Sequence, residues 1–407
     1  MVSICFYFQV HQPWRLRRYS VFDIGNNSDY FDHKKNSEVM KKVAMKCYLP
    51  ANKLILKLIE KTGGKFKATY SITGTALEQL EQYEPKVLES FRALAGTGCV
   101  EFLNETYHHS LSFLYSKDEF REQVALHRKK IKSLFNFEPK VFRNTELIYN
   151  NELGNFVEGM GYRGILAEGA DHVLGWRSPN FVYKVQGSKN MKLLLKNYKL
   201  SDDIAFRFSE KSWKEYPLTV EKYAQWVNAN NGNGNVINLF MDYETFGEHQ
   251  WSQSGIFRFL ESLPPELLKH PDNEFVTTTE SVEKYDPVSE LDVHHPVSWA
   301  DVERDLSAWL GNSMQHDSLY QLYQMERKVK ESGDEALLAD WRKLTTSDHF
   351  YYMCTKWFAD GDVHKYFNPY DSPYEGFIAF MNSLNDLSKR TEAANRKLYN
   401  SQVLSEA

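Results

Sequence analysis

Through the first 250 residues, short runs of β-branched and aromatic residues alternate with longer stretches whose apolar positions recur every three or four residues. That alternation predicts βα units around a parallel sheet. Seven runs read as strands: Ser3 to Val10, Lys67 to Ile72, Cys99 to Leu103, Lys140 to Arg143, Gly164 to Ala167, Lys192 to Lys196 and Val236 to Met241. Between them LPANKLILKLIEKTG, LEQLEQYEPKVLESFRALAGTG and SKDEFREQVALHRKKIKSLFN carry helical period, and Gly or Asn stops each. The run NANNGNGN at 228–235 reads as a turn into the seventh strand. Beyond residue 250 the β-rich runs cease, and segments rich in Leu, Trp and Tyr predict a helical bundle packed on the preceding part. The stretch from Pro264 to Pro287, rich in Pro, Asp and Glu, is a plausible boundary. The expected division is a barrel domain over 1–263 and a mainly helical region over 264–407 that contributes to the active site.

The residues that follow the strands are the informative ones. His11 follows the first, the third carries Glu101 and Glu105, Glu146 follows the fourth and Glu168 the fifth. The sixth leads towards Asp202 and Asp203, and the seventh runs into Asp242 and Glu244. In a parallel barrel or open α/β sheet, residues just past the carboxyl ends of the strands converge on one face. Carboxylates scattered along the chain thus become a cluster.

Composition narrows the class of function. With 49 Lys plus Arg against 54 Asp plus Glu the chain has a net charge of −5, a poor fit to nucleic acid. No stretch reaches 18 apolar residues, which argues against a membrane span. The N-terminal MVSICFYFQVHQPW lacks a basic leader and a cleavage site, so it reads as a buried strand. The cysteines at 5, 47, 99 and 354 are far apart, suggesting neither a zinc knuckle nor a disulfide framework. A reduced, cytoplasmic protein without a cofactor is expected. Aromatic residues make up 14% of the chain, and they serve sugar stacking and large cores alike.

Two segments carry chemistry most directly. In VFRNTELIYN, Glu146 follows an apolar strand within a collar of Arg143, Asn144 and Thr145, and an adjacent Arg favours an ionised carboxylate. The plain alternative is a surface Glu at a strand end. In VINLFMDYETFGEHQW, strand alternation puts Asp242 and Glu244 on one side, where each raises the other's pKa and leaves a carboxyl protonated for general acid work. The alternative is a polar strand end that caps the next turn. His11, in HQPW, could be a structural hydrogen-bonder. The pairs His108–His109 and His294–His295 raise zinc, but adjacent histidines on a strand face opposite ways and no HExxH occurs. Asp348, in LTTSDHFYYM, reads most simply as a helix cap with Ser347, and Trp299 and Trp309 as either core or sugar platform.

Taken in order, HQP at 11–13, GCVEF at 98–102, FRNTEL at 142–147, MDYETFG at 241–247 and TTSDHFYYM at 345–353 resemble the five sequence regions of glycoside hydrolase family 57. The pattern is most similar to its compact α-amylase-like members. The resemblance implies a (β/α)7 barrel followed by a helical region, and a retaining enzyme acting on α-1,4-glucans or maltooligosaccharides. It implies Glu146 as the nucleophile and Asp242 as the general acid and then base. His11, Glu101, Glu244 and Asp348 would hydrogen-bond the sugar in the cleaved subsite. In the second region the chain reads GCVEFLNETYHHS, and in the fourth Tyr243 stands where some transferases have Gly. A 4-α-glucanotransferase on the same site, a metal-dependent deacetylase or mannosidase-like enzyme, and an inactive glucan-binding protein are the alternatives.

Overall fold

The computed structural model describes residues 2–356 and 368–406. They fall into two compact units, each drawn from three stretches of chain: residues 1–12, 38–106 and 124–299, and residues 13–37, 107–123 and 300–407.

The first unit is a (β/α)7 barrel. Its strands are β1 (Val2–Val10), β2 (Ala68–Ile72), β3 (Val100–Phe102), β4 (Val141–Phe142), β5 (Gly164–Glu168), β6 (Lys192–Lys196) and β7 (Val236–Asp242). Each predicted run is a strand, with no end shifted by more than one residue. β1 pairs in parallel with β2 through Tyr7–Thr69 and with β7 through Tyr7–Phe240. β2 pairs with β3, β4 with β5, β5 with β6 and β6 with β7, all in parallel. A single parallel bridge between Asn104 and Phe142 joins β3 to β4 and completes the ring. Every residue of β1 is buried, as expected of a strand walled in on both faces.

The helices between the strands follow from period and punctuation. Leu49–Lys61 begins with Pro50 in its first turn, and Lys117–Phe135 ends at Asn136 in the left-handed region with φ 51°. The segment expected as one helical stretch after β2 is two helices, Gly74–Tyr83 and Pro85–Ala95. Proline at 85 holds Glu84 at ψ 61°, away from helical geometry, and the chain turns there.

The amino end of the barrel is closed by the segment after Leu267. Asn273–Phe275 adds in parallel to β1 at Val2–Ile4, and the helix Thr278–Lys284 follows with a capping box made by Thr277 and Glu280. Val282 packs with Cys5, Leu166 and Leu194 in the barrel interior, and the Lys192 ammonium donates to the carbonyls of Val282 and Tyr285, both at 2.7 Å. The expected division after residue 263 therefore falls inside the helix Ile256–Leu267, and the chain belongs to the barrel unit as far as Trp299. Pro264 and Pro265 lie inside that helix near its end, and the chain stays in the unit beyond them.

The second unit is helical. Ser313–Gln324, Glu326–Glu331, Glu335–Leu344 and the long Pro373–Glu406 surround a core with Trp309, Trp341, Phe350 and Leu387. The Trp341 indole donates to the Leu322 carbonyl at 2.8 Å. Buried Glu119 takes Arg342 on both oxygens, at 2.9 and 3.1 Å, and Lys330 at 2.8 Å. That fork-on-fork geometry satisfies a carboxylate with no access to water. No helix among the described residues is long and apolar enough to cross a membrane.

Candidate active site

Because all the ring strands are parallel, their carboxyl ends share one pole, and the polar residues gather there. Glu146 lies in a short turn, Thr145–Leu147, directly after β4, and it is the one position from Val141 to Tyr149 that reaches solvent. Glu146 and Leu147 both adopt left-handed backbone, at φ 56° and 51°, which favours glycine and costs other residues about 1–2 kcal/mol each. The Trp299 indole donates to Glu146 Oε2 at 2.7 Å, and the Trp299 backbone N–H donates to the Glu146 carbonyl at 3.2 Å.

Asp242 ends β7, and it is likewise the one position from Val236 to Glu248 that reaches solvent. The strand stops there and a single turn, Tyr243–Thr245, follows, so strand alternation does not govern the next residues. Asp242 and Glu244 nevertheless act on one another. Burial first, and then the negative charge of Asp242, push the Glu244 carboxyl up to about 8. Asp242 makes no side-chain cap to the turn, so the capping alternative is not what the carboxylate does. Glu244 accepts a short hydrogen bond from the Tyr48 hydroxyl, and the Gln12 amide approaches it at 3.5 Å. Tyr48 closes a π-turn, Ala44–Tyr48, and its ring stacks on Tyr243 with centroids 6.3 Å apart. No periodicity marks Tyr48, since a π-turn breaks the helical repeat that would have placed it.

His11 is half-buried just past β1, with Nδ1 2.9 Å from Thr73 Oγ1, the hydroxyl that also caps the helix Gly74–Tyr83. Arg143, fully buried, pairs with Glu105 at 3.6 Å, and Gln9 reaches the same carboxylate at 3.5 Å. Lys196, at the end of β6, meets Asp202 at 3.0 Å and Glu168 at 3.7 Å.

Glu101 is the exception among the expected sugar-binding residues. It sits inside β3, level with Thr69, and its carboxylate takes the Thr279 backbone N–H at 2.8 Å and the Thr279 hydroxyl at 2.5 Å. Thr279 lies in the first turn of the helix Thr278–Lys284 that closes the amino end, so Glu101 serves that end of the barrel. Burial raises its pKa. Glu105, four residues on, is the carboxylate of this segment at the other pole, and a three-residue strand gives too short a pattern to tell the two apart. Asp348 belongs to the second unit, where it starts the helix Asp348–Tyr351 and reaches solvent between buried neighbours; Ser347 makes no side-chain cap. Of the tryptophans left open between core and platform, Trp309 is core, and Trp299 is half-buried and bonded to Glu146. His294 and His295 are exposed and His108 and His109 buried. Among the described residues no group of three His, Cys, Asp or Glu side chains is placed to hold a metal ion.

Comparison with known proteins adds three findings. A family model described as glycosyl hydrolase family 57 matches residues 5–294. A protein of Methanocaldococcus jannaschii provisionally named an alpha-amylase is 46% identical over 396 residues, 94% of this chain and 83% of that protein. Among solved structures, the alpha-amylase AmyC from Thermotoga maritima superposes with a TM-score of 0.66 at 13% identity, over 98% of this chain and 94% of its own. The 4-alpha-glucanotransferase from Thermococcus litoralis gives 0.59 at 16% identity over 90% of this chain, which spans about half of that enzyme, 54%. At such identities the likeness is one of fold.

Proposed function

Since the chain belongs to glycosyl hydrolase family 57 and is a glycosidase, we propose that it cleaves α-1,4-glucans and maltooligosaccharides with retention, through a glycosyl-enzyme intermediate. The observation that carries this reading is the exposure pattern at the carboxyl pole. Glu146 and Asp242 each reach solvent from an otherwise buried run, one after β4 and one at the end of β7.

In the first step one oxygen of Glu146 attacks the anomeric carbon while Asp242 gives its proton to the departing glycosidic oxygen. In the second, Asp242 takes a proton from water, the water oxygen joins the anomeric carbon, and the Glu146 carboxylate is released. Burial and the Asp242 charge push the Glu244 carboxyl up to about 8, so the two carboxyls lose their protons in separate steps and the pair holds one proton near neutral pH, which Asp242 delivers in the first displacement. His11, fixed through Thr73, presents its ring beside the same pole. The sugar contact assigned to Asp348 rests on the family resemblance.

The test is a product time course on maltoheptaose with Glu146→Gln as control. Shorter sugars alone, absent from the control, are expected of an α-amylase-type hydrolase. Longer and shorter sugars together would make it a 4-α-glucanotransferase, and equal behaviour of the two proteins would overturn the reading.

A further inference from the structure

We propose that Trp299 is a positioning residue for Glu146, its indole N–H holding the carboxylate oxygen that does not attack. The inference rests on the nucleophile assignment above and extends it to a residue 153 positions away in sequence.

Two linkages join the residues, the 2.7 Å bond from indole to Oε2 and the 3.2 Å bond between backbones. They end a longer seam. Tyr149 and Val297 exchange backbone hydrogen bonds at 2.9 Å each, and the Asn151 N–H donates to the Val293 carbonyl at 2.9 Å. Asn151 also bonds the Val293 N–H through its side-chain oxygen at 2.9 Å and Asp292 through its amide at 2.5 Å. Residues 292–299 thus form a strap along 146–151, and the strap holds the left-handed backbone at Glu146 and Leu147 that the chain would otherwise leave.

The indole itself is held by charge. The Arg143 guanidinium lies 5.1 Å from its ring and the Lys196 ammonium 5.4 Å, both within cation–π reach. Each cation is matched by a carboxylate, Glu105 for Arg143 and Asp202 for Lys196. A ring fixed in this way aims its N–H without needing to reorganise during reaction.

The chemistry gives the bond a direction. When the other Glu146 oxygen joins the anomeric carbon and the glycosidic bond breaks, Oε2 changes from a carboxylate oxygen to the carbonyl oxygen of an ester, a weaker acceptor. When water displaces the ester and passes its proton to Asp242, the negative charge returns to Oε2. The indole N–H therefore favours release from the glycosyl-enzyme more than its formation.

The experiment uses the full chain with a 4-nitrophenyl α-maltooligoside, rapid acid quench and intact-mass measurement. Three proteins are compared with wild type: Trp299→Phe, Trp299 replaced by its benzothienyl analogue, in which sulfur takes the place of the N–H, and Glu146→Gln. The benzothienyl protein keeps the ring and its packing, so it answers even if Trp299→Phe fails to fold. Loss of the charge-assisted bond is expected to slow breakdown of the glycosyl-enzyme about 10- to 100-fold. The covalent adduct should then accumulate in the steady state. A benzothienyl protein whose adduct level and turnover match wild type, with Glu146→Gln inactive, overturns this inference alone. Equal slowing of both steps overturns it too, since that is the mark of a purely structural role. A Glu146→Gln protein that still turns over removes the nucleophile assignment and this inference with it.

Discussion

The two ends of the barrel use the same side chains for opposite purposes. At the amino end, Glu101 is buried, bonded twice to Thr279, and covered by the helix Thr278–Lys284. At the carboxyl end, Glu146 and Asp242 reach solvent, and burial together with the Asp242 charge pushes the Glu244 carboxyl up to about 8. A carboxylate whose oxygens are committed to a helix start stabilises the fold; one left with access to water is available for reaction. Residue type and motif membership are alike at the two ends, and the surroundings decide the role.

The contrast can be broken by substitution, and the largest effect belongs to the carboxyl pole. Asp242→Asn should lower kcat/KM by about 10²- to 10⁴-fold, the range for a general acid and base, with an unchanged melting temperature. Activity near that of wild type would dissolve the distinction between the poles. At the amino end, Glu101→Ala should cost about 1–3 kcal/mol of stability, because the Thr279 N–H loses its buried acceptor. Denaturant unfolding measures that cost, and kcat should stay within about twofold, in keeping with a role confined to packing and capping.

A subtler comparison concerns pH. The Glu244 carboxyl is raised from 4.5 to about 8 in the folded chain, so its protonated form favours folding and that contribution is lost as pH rises. The stability of Glu244→Gln relative to wild type should therefore grow from about pH 4.5 and level off above about pH 8, read by urea unfolding at several pH values. A flat difference would mean that Glu244 titrates alike in the folded and unfolded chain. The smallest effect is expected of Tyr48→Phe. The Tyr48 hydroxyl favours ionised Glu244, so its removal should move the alkaline limb of the pH–rate profile upwards by a fraction of a pH unit.

The sequence made the barrel legible because buried parallel strands and amphipathic helices each carry a period, and all seven strand positions could be read from it. It also placed Glu146 and Asp242 where strands end. What period could not convey was contact across the fold. Trp299 meets Glu146 through a strap 153 residues downstream, and Glu101 meets Thr279 across 178 residues. The stretch from Pro264 to Pro287 shows little period because its strand is only three residues long and its second helix seven. Asn151, Thr277 and the π-turn at Tyr48 act through hydrogen bonds specific to their places, for which composition leaves no trace.

The ring closure of the barrel sets the order in which the protein can be made. β1 precedes the other six barrel strands in the chain, yet its neighbours are β2, β7 and Asn273–Phe275, so one of its edges stays open until residue 236 has been added. At about 5–20 residues per second, that wait is on the order of 10 to 50 seconds for an apolar strand with one edge unpaired. Nascent chains stalled before residue 236 therefore leave that edge of β1 unpaired, and chaperone binding to them should end once β7 has been made.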